Sequence, residues 1–174
     1  GARKRIYMEC TVSTEQGRTW QEYSHGTESR IVLPCAYCRE WVSPEREHLT
    51  GWQGATTQAD ARQAGAFSCP ACGQIWSEDD RVKANHAARI IHDGQALDAE
   101  GSVQGSLPRT DTLGFRWSAV NNLFLAAGDF AADEWLAGHS PDEENAEREM
   151  RQYVWCLPMA PSKWMQSSLE STEL

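Results

Sequence analysis

The pair Cys35-Ala-Tyr-Cys38 is followed, thirty residues on, by Cys69-Pro-Ala-Cys72, and this spacing constrains the chain more than any other feature. Two residues between the cysteines of a pair let both sulfurs reach one ion from a tight turn, and a second such turn closes a tetrahedron. Pro34 and Pro70 stiffen the turns, and Gly73 can take the positive φ that such a turn needs. The pattern predicts a structural Zn2+ held by Cys35, Cys38, Cys69 and Cys72 in a small zinc ribbon over residues 31–77. Four thiolates leave no open coordination position, so the ion would hold a fold rather than activate water. Two disulfides, or a thioredoxin-like redox pair, are the competing readings. The first lacks a secretion signal and the second a surrounding βαβ pattern.

A segment this small cannot bury enough apolar surface to fold unaided, so the metal would supply folding free energy on the order of 10 kcal/mol. Trp41, Trp52, Phe67, Ile75 and Trp76 fall where they can cover the metal turns as a miniature core. Cys10 and Cys156 lie in apolar surroundings and read as packing residues. The five histidines are scattered, and none is needed once four thiolates complete the shell.

Around the ribbon the pattern is α+β. Residues 5–12, RIYMECTV, read as a short buried strand, and a turn of helix capped by Thr19 follows. Ile31 to Leu33 form a strand entering the first cysteine turn, and Arg39 to Val42 form its return. The TTQADARQAGA segment, small and polar, reads as a hairpin loop. Ser77 caps a helix whose first turn is acidic and which stops near Gly94. Residues 95–115 read as an irregular connection. Apolar residues recur at a helical period from 119 to 138 with a break at Gly128, and Ser140-Pro141 opens a last helix. Four segments are thus expected: 1–30 strand and turn, 31–77 ribbon, 78–113 helix and linker, 114–174 helical.

Composition narrows function. Sixteen Lys and Arg against twenty-five Asp and Glu give −9, and residues 129–150 hold eight acids and one arginine. Binding nucleic acid through the overall field is disfavoured, so any contact must be local, through Arg3, Lys4 and Arg5 or through Arg30, Arg39 and Arg46 near the first cysteine turn. No run of about 18 apolar residues is present, so no membrane partner is expected, and the chain reads as cytoplasmic. There is no phosphate-binding G-x-x-x-x-G-K-[ST] loop, dinucleotide fingerprint or nucleophile elbow. The chain alone does not read as an enzyme.

Several segments in order resemble the lambda-like phage terminase large subunit. Thr11-Val12-Ser13-Thr14-Glu15-Gln16-Gly17 stands where that family has a hydroxyl-rich turn, with Ser13 in the place of a proline. Ile31 to Cys38 resembles its apolar strand and first cysteine pair, although Ala36 and Arg39 replace the usual Pro and Gly. Cys69-Pro-Ala-Cys-Gly73 matches the second pair fully, and Gly114-Phe-Arg-Trp-Ser-Ala119 resembles G-F-H-x-S-A. Tyr153 to Pro158 resembles the later F-x-N-T-x-L-G segment, with Trp155 replacing Asn.

The resemblance implies the middle of a terminase: the end of a packaging ATPase domain, a zinc-ribbon insertion and a linker toward a nuclease. The ATPase and endonuclease activities would belong to the parent protein. Thr11 and Thr14 would couple to nucleotide, since short hydroxyls can exchange one hydrogen bond as a terminal phosphate leaves. The implied partners are DNA, the portal, the small terminase subunit and the remainder of the terminase chain. A free-standing zinc-ribbon adaptor for a protein or nucleic acid is the alternative.

Overall fold

A computed structural model describes residues 6–9 and 11–159. Arg3, Lys4, Arg5, Cys10 and the polar tail after residue 159 lie outside the described residues. The fold is α+β, with helices and small antiparallel sheets sharing one core.

Helix α1 (Arg18–His25) precedes strand β1 (Arg30–Pro34), which turns through the first cysteine pair into β2 (Trp41–Val42). Strand β3 (Leu49–Thr50) pairs with β4 (Ala66–Phe67), and α2 (Gln58–Ala64) lies between them. After the second cysteine pair come α3 (Glu78–His86), β5 (Arg89–Ile91) and a hairpin of β6 (Ala96–Leu97) and β7 (Val103–Gln104). Helices α4 (Ala127–Gly138) and α5 (Glu143–Glu149) follow, the latter running on as a π-helical turn, Met150–Val154.

Strand β1 is the centre of a three-stranded sheet ordered β2-β1-β5, with Leu33 opposite Val42 and Ile31 opposite Ile90. The core joins this sheet to the cysteine turns and the C-terminal helices: Leu33, Leu49, Phe67, Trp76, Phe130 and Trp155 belong to one buried cluster. Elements from all three segments expected after residue 30 therefore contribute to the same interior.

Several local expectations are corrected. The segment 5–12 forms no ladder over its described residues, and Ile6, Tyr7 and Met8 are exposed while Val12 is buried. Apolar and β-branched residues favour a strand only where a neighbouring strand or packed face receives them. The expected hairpin loop is helix α2, because Thr57 accepts from the Asp60 amide at 3.1 Å and fully buried Ala61 gives the segment an apolar contact. The helix after Ser77 ends at His86 instead of near Gly94, freeing residues 89–91 to complete the sheet beside β1.

Gly128 does not break a helix. It sits in the first turn of α4, where a side chain would run into the carbonyl of Arg62; Gly65 of the α2 terminus similarly faces Ala131 and Gly128. Bare backbone at these two places lets α2 and α4 cross closely. The cap of α5 is Asp142, which accepts from the Asn145 amide at 3.2 Å, two residues beyond the expected Ser140.

Candidate metal centre

Each cysteine pair occupies a turn of the same construction. In the first, Cys35 N donates to Glu40 O at 2.9 Å and Arg39 N donates to Cys35 O at 3.0 Å. In the second, Cys69 N donates to Gln74 O and Gly73 N to Cys69 O, both at 2.9 Å. Arg39 and Gly73 occupy equivalent places, four residues after the leading cysteine, and both are left-handed, with φ of 66° and 73°. Glycine takes that conformation freely, whereas a side chain costs roughly 1–2 kcal/mol. The first turn therefore carries a strain that the second avoids.

The turns face one another, and all four sulfurs lie within 4.8 Å of each other. Across the cluster Cys35 Sγ is 4.0 Å from Cys72 Sγ, and Cys38 Sγ is 3.8 Å from Cys69 Sγ. A disulfide needs sulfurs about 2.05 Å apart, whereas a tetrahedron of bonds of about 2.3 Å has edges of about 3.8 Å. The donor set thus fits one soft or borderline divalent ion with little adjustment.

Its electrostatics are uneven. Burial pushes the Cys35 thiol up, but the amides of Cys38 and Tyr37, with smaller help from the Trp76 indole and the Cys69 thiol, together outweigh burial and bring it down to about 6. Burial and the neighbouring Cys35 and Cys72 sulfurs push Cys69 up to about 12. Cys38 is also raised: the Glu40 amide favours its thiolate, but burial and the nearby sulfurs outweigh it. One thiolate is thus ready at neutral pH, while Cys38 and Cys69 would shed protons to a metal.

The surroundings brace the turns. Phe67 and Trp76 are buried, Trp41 and Trp52 half-buried, and Ile75 exposed. The Tyr37 hydroxyl donates to Asp80 Oδ2 at 3.0 Å, and that carboxylate also receives the Ser77 amide and hydroxyl, tying the first turn to the helix that follows the second. His48 accepts from the Glu45 amide at 3.1 Å, a structural role outside the sulfur cluster.

The remaining candidates are dispersed. Arg30 and Arg39 are exposed. Arg46 turns inward: its Nε and Nη2 donate to Glu134 at 2.7 and 2.8 Å, and its Nη1 and Nη2 donate to Glu147 at 2.6 and 2.8 Å. Burial opposes the charge, but the two carboxylates outweigh burial and raise its pKa. An arginine with both edges forked onto carboxylates has no free face for a phosphate. Thr11 is exposed and Thr14 half-buried in a turn pinned to the C-terminal segment, where Met159 N donates to Ser13 O at 2.9 Å.

Sequence reasoning missed the polar interior. Glu134 is 2 % exposed and accepts from Arg46 and from Trp155 Nε1, the latter at 2.6 Å. Arg81, 1 % exposed, donates to the carbonyls of Val120, Asn122 and Leu125 and pairs with Glu78. Nothing in a linear pattern separates such charges from those on a solvated helix face.

Fold and donor set define an α+β protein with four clustered thiols that could hold a metal ion. The family model of the phage terminase large subunit gpA, ATPase domain, matches residues 2–89, half of the chain, and the chain belongs to that family. No curated protein and no solved structure matches it. Membership places the chain in a viral DNA-packaging motor, which works with the portal and other terminase components. Among the described residues no helix is long and apolar enough to cross a membrane.

Proposed function

We propose that this chain is a non-catalytic region of a packaging-motor large subunit, in which a Zn2+ held by Cys35, Cys38, Cys69 and Cys72 forms a zinc ribbon that serves motor assembly. The observation that carries this reading is the four-sulfur cage, whose donors all come within 4.8 Å, in a chain of the terminase family. A bound ion would supply a fixed cross-link between the two turns and, with no vacant position, no catalytic step. The residues themselves position it: the amides of Tyr37 and Cys38 stabilise the first thiolate, and Tyr37 and Asp80 hold the turns in register. Native mass spectrometry tests the reading. One divalent ion per chain, identified as zinc by elemental analysis and lost from a Cys69→Ser variant, is the expected result. A metal-free, fully folded chain overturns it.

DNA contact is a second reading, supported by the exposure of Arg30 and Arg39. Arg39→Gly is the sharpest probe, because it removes the charge while suiting the left-handed turn. Salt-dependent duplex binding by the wild type, lost in this variant with metal content unchanged, supports DNA; absence of binding at low salt leaves protein docking. Thr11 and Thr14 are retained as candidate nucleotide-coupling residues, supported by the exposure of Thr11 and the anchorage of their turn to residue 159.

A further inference from the structure

The backbone on either side of the second cysteine turn is a narrow antiparallel ladder, and its side chains alternate. Ser68 bridges Ile75, and Ile75 faces water. Phe67, Cys69 and Trp76, each one position away from that bridge, are buried, so the Trp76 ring lies on the face of the ladder that carries the Cys69 sulfur. The register is fixed by Trp76 N, which donates to Phe67 O at 2.8 Å, and by Cys69 N, which donates to Gln74 O at 2.9 Å. Cys35, from the opposite turn, belongs to the same buried cluster as Trp76.

One polar atom in this cluster has no partner. Trp76 is 3 % exposed, and among the described residues no group completes a hydrogen bond with its buried Nε1–H. A buried donor left unpaired forfeits its hydration for nothing, and native interiors rarely keep one. The indole nevertheless lies close enough to Cys35 to favour its thiolate. A thiol sulfur is a weak acceptor, whereas hydrogen bonds to an ionised acceptor are about twice as strong as neutral ones. The donor therefore suits the one form of Cys35 that a metal ion requires.

We propose that Trp76 is a positioning residue of the metal centre, its indole N–H donating to the Cys35 sulfur when that sulfur is a metal-bound thiolate. This deepens the zinc reading above and rests on it. Four thiolates around a divalent ion leave an excess of negative charge in a largely buried cluster, so a donor at one sulfur stabilises the loaded state and fixes that sulfur's orientation. The Tyr37 and Cys38 amides serve Cys35 from within its own turn. Trp76 reaches it from the other turn, so the two halves are joined by a hydrogen bond as well as by the ion.

The test uses Co2+, a tetrahedral stand-in for zinc whose thiolate-to-metal charge-transfer band reports on the sulfurs themselves. Trp76→Phe keeps a large buried ring and removes the N–H. Trp52→Phe is the control, because Trp52 Nε1 is likewise buried and unpartnered and its ring packs on the same core. Losing a donor raises the sulfur lone pairs in energy, so the band of Trp76→Phe should move to longer wavelength. Its metal affinity, measured by competition with a chelator, should fall on the order of 10- to 100-fold. Trp52→Phe should leave the band in place. An unmoved band in Trp76→Phe overturns the proposal even if affinity falls, since lost packing weakens binding without touching the sulfur; an equal shift in Trp52→Phe overturns it too. If Trp76→Phe does not fold around the metal, the wild type loaded with a magnetically active cadmium isotope answers the same question. Its Trp76 indole proton should show a scalar coupling to cadmium carried through the hydrogen bond, and an uncoupled proton overturns the proposal. A wild type that takes up no divalent ion defeats the zinc reading and this inference with it, whereas uptake with an unmoved band defeats this inference alone.

Discussion

Replacing Arg46 with Met should unfold the chain far more readily than loss of a surface ion pair would. The Glu134 carboxylate opposite it is 1 % exposed and the Arg46 side chain 23 %, so the substitution strands a buried negative charge with only Trp155 Nε1 to satisfy it. Breaking a buried pair on one side costs about 3–5 kcal/mol, and because Arg46 and Glu147 are partly wetted we take the lower end, about 3 kcal/mol. With a urea dependence of about 2 kcal/mol per molar, the midpoint of the metal-loaded protein should fall by about 1.5 M. Glu134→Gln alone should cost only about 1–2 kcal/mol, because Arg46 keeps Glu147 and the amide can still accept from Trp155. The double variant should be at least about 1 kcal/mol more stable than the two losses added together, since no charge is left unpaired. Urea melts followed by tryptophan fluorescence give all three values. A loss below about 1 kcal/mol for Arg46→Met, the scale of an exposed pair, would refute the buried-clamp account and return Arg46 to the list of free cations.

Capture of a divalent metal should expel at least two protons, because Cys38 and Cys69 are raised and protonated at neutral pH while Cys35, at about 6, is already ionised. Metal affinity should therefore climb on the order of 100-fold per pH unit near neutrality, and calorimetry in buffers of different ionisation enthalpy counts the protons; a pH-independent affinity contradicts the assignment. Gly128→Ala should cost about 1–3 kcal/mol in urea melts by forcing α2 away from α4, and a neutral result would mean that the helices do not approach as described. Asp80 is held below the ordinary carboxylate range by the Ser77 hydroxyl and amide. Its contribution is complete above its unfolded pKa of about 3.9 and is lost as pH falls through the lower folded value, so its carboxyl resonance should titrate below about 3.9. Tyr37→Phe, which removes one of its donors, should move that midpoint upward, and an unmoved midpoint would remove Tyr37 from the brace.

The elements that were legible are those whose cause is local. The strand entering the first cysteine turn, its short return and the Ser77-capped helix follow from residue types within a few positions of one another. The segment 5–12 and helix α2 were misread for opposite reasons. The first has strand-forming residues but no pairing strand over its described residues, and the second has a loop-like composition rescued by a threonine cap and a face that packs on α4. The inward roles of Arg46, Arg81 and Glu134 were not legible because the partners that bury them lie far along the chain, 88 residues apart for Arg46 and Glu134 and 39 to 44 for Arg81 and the carbonyls of Val120, Asn122 and Leu125.

The sequence by itself determined where four sulfurs could meet, since a two-residue gap and a helpful glycine act within a single turn. Tertiary structure alone decided which charges are spent inside and which face water. Those outcomes depend on which distant carbonyls and carboxylates fold against each side chain, and a buried charge is tolerated only where such partners arrive.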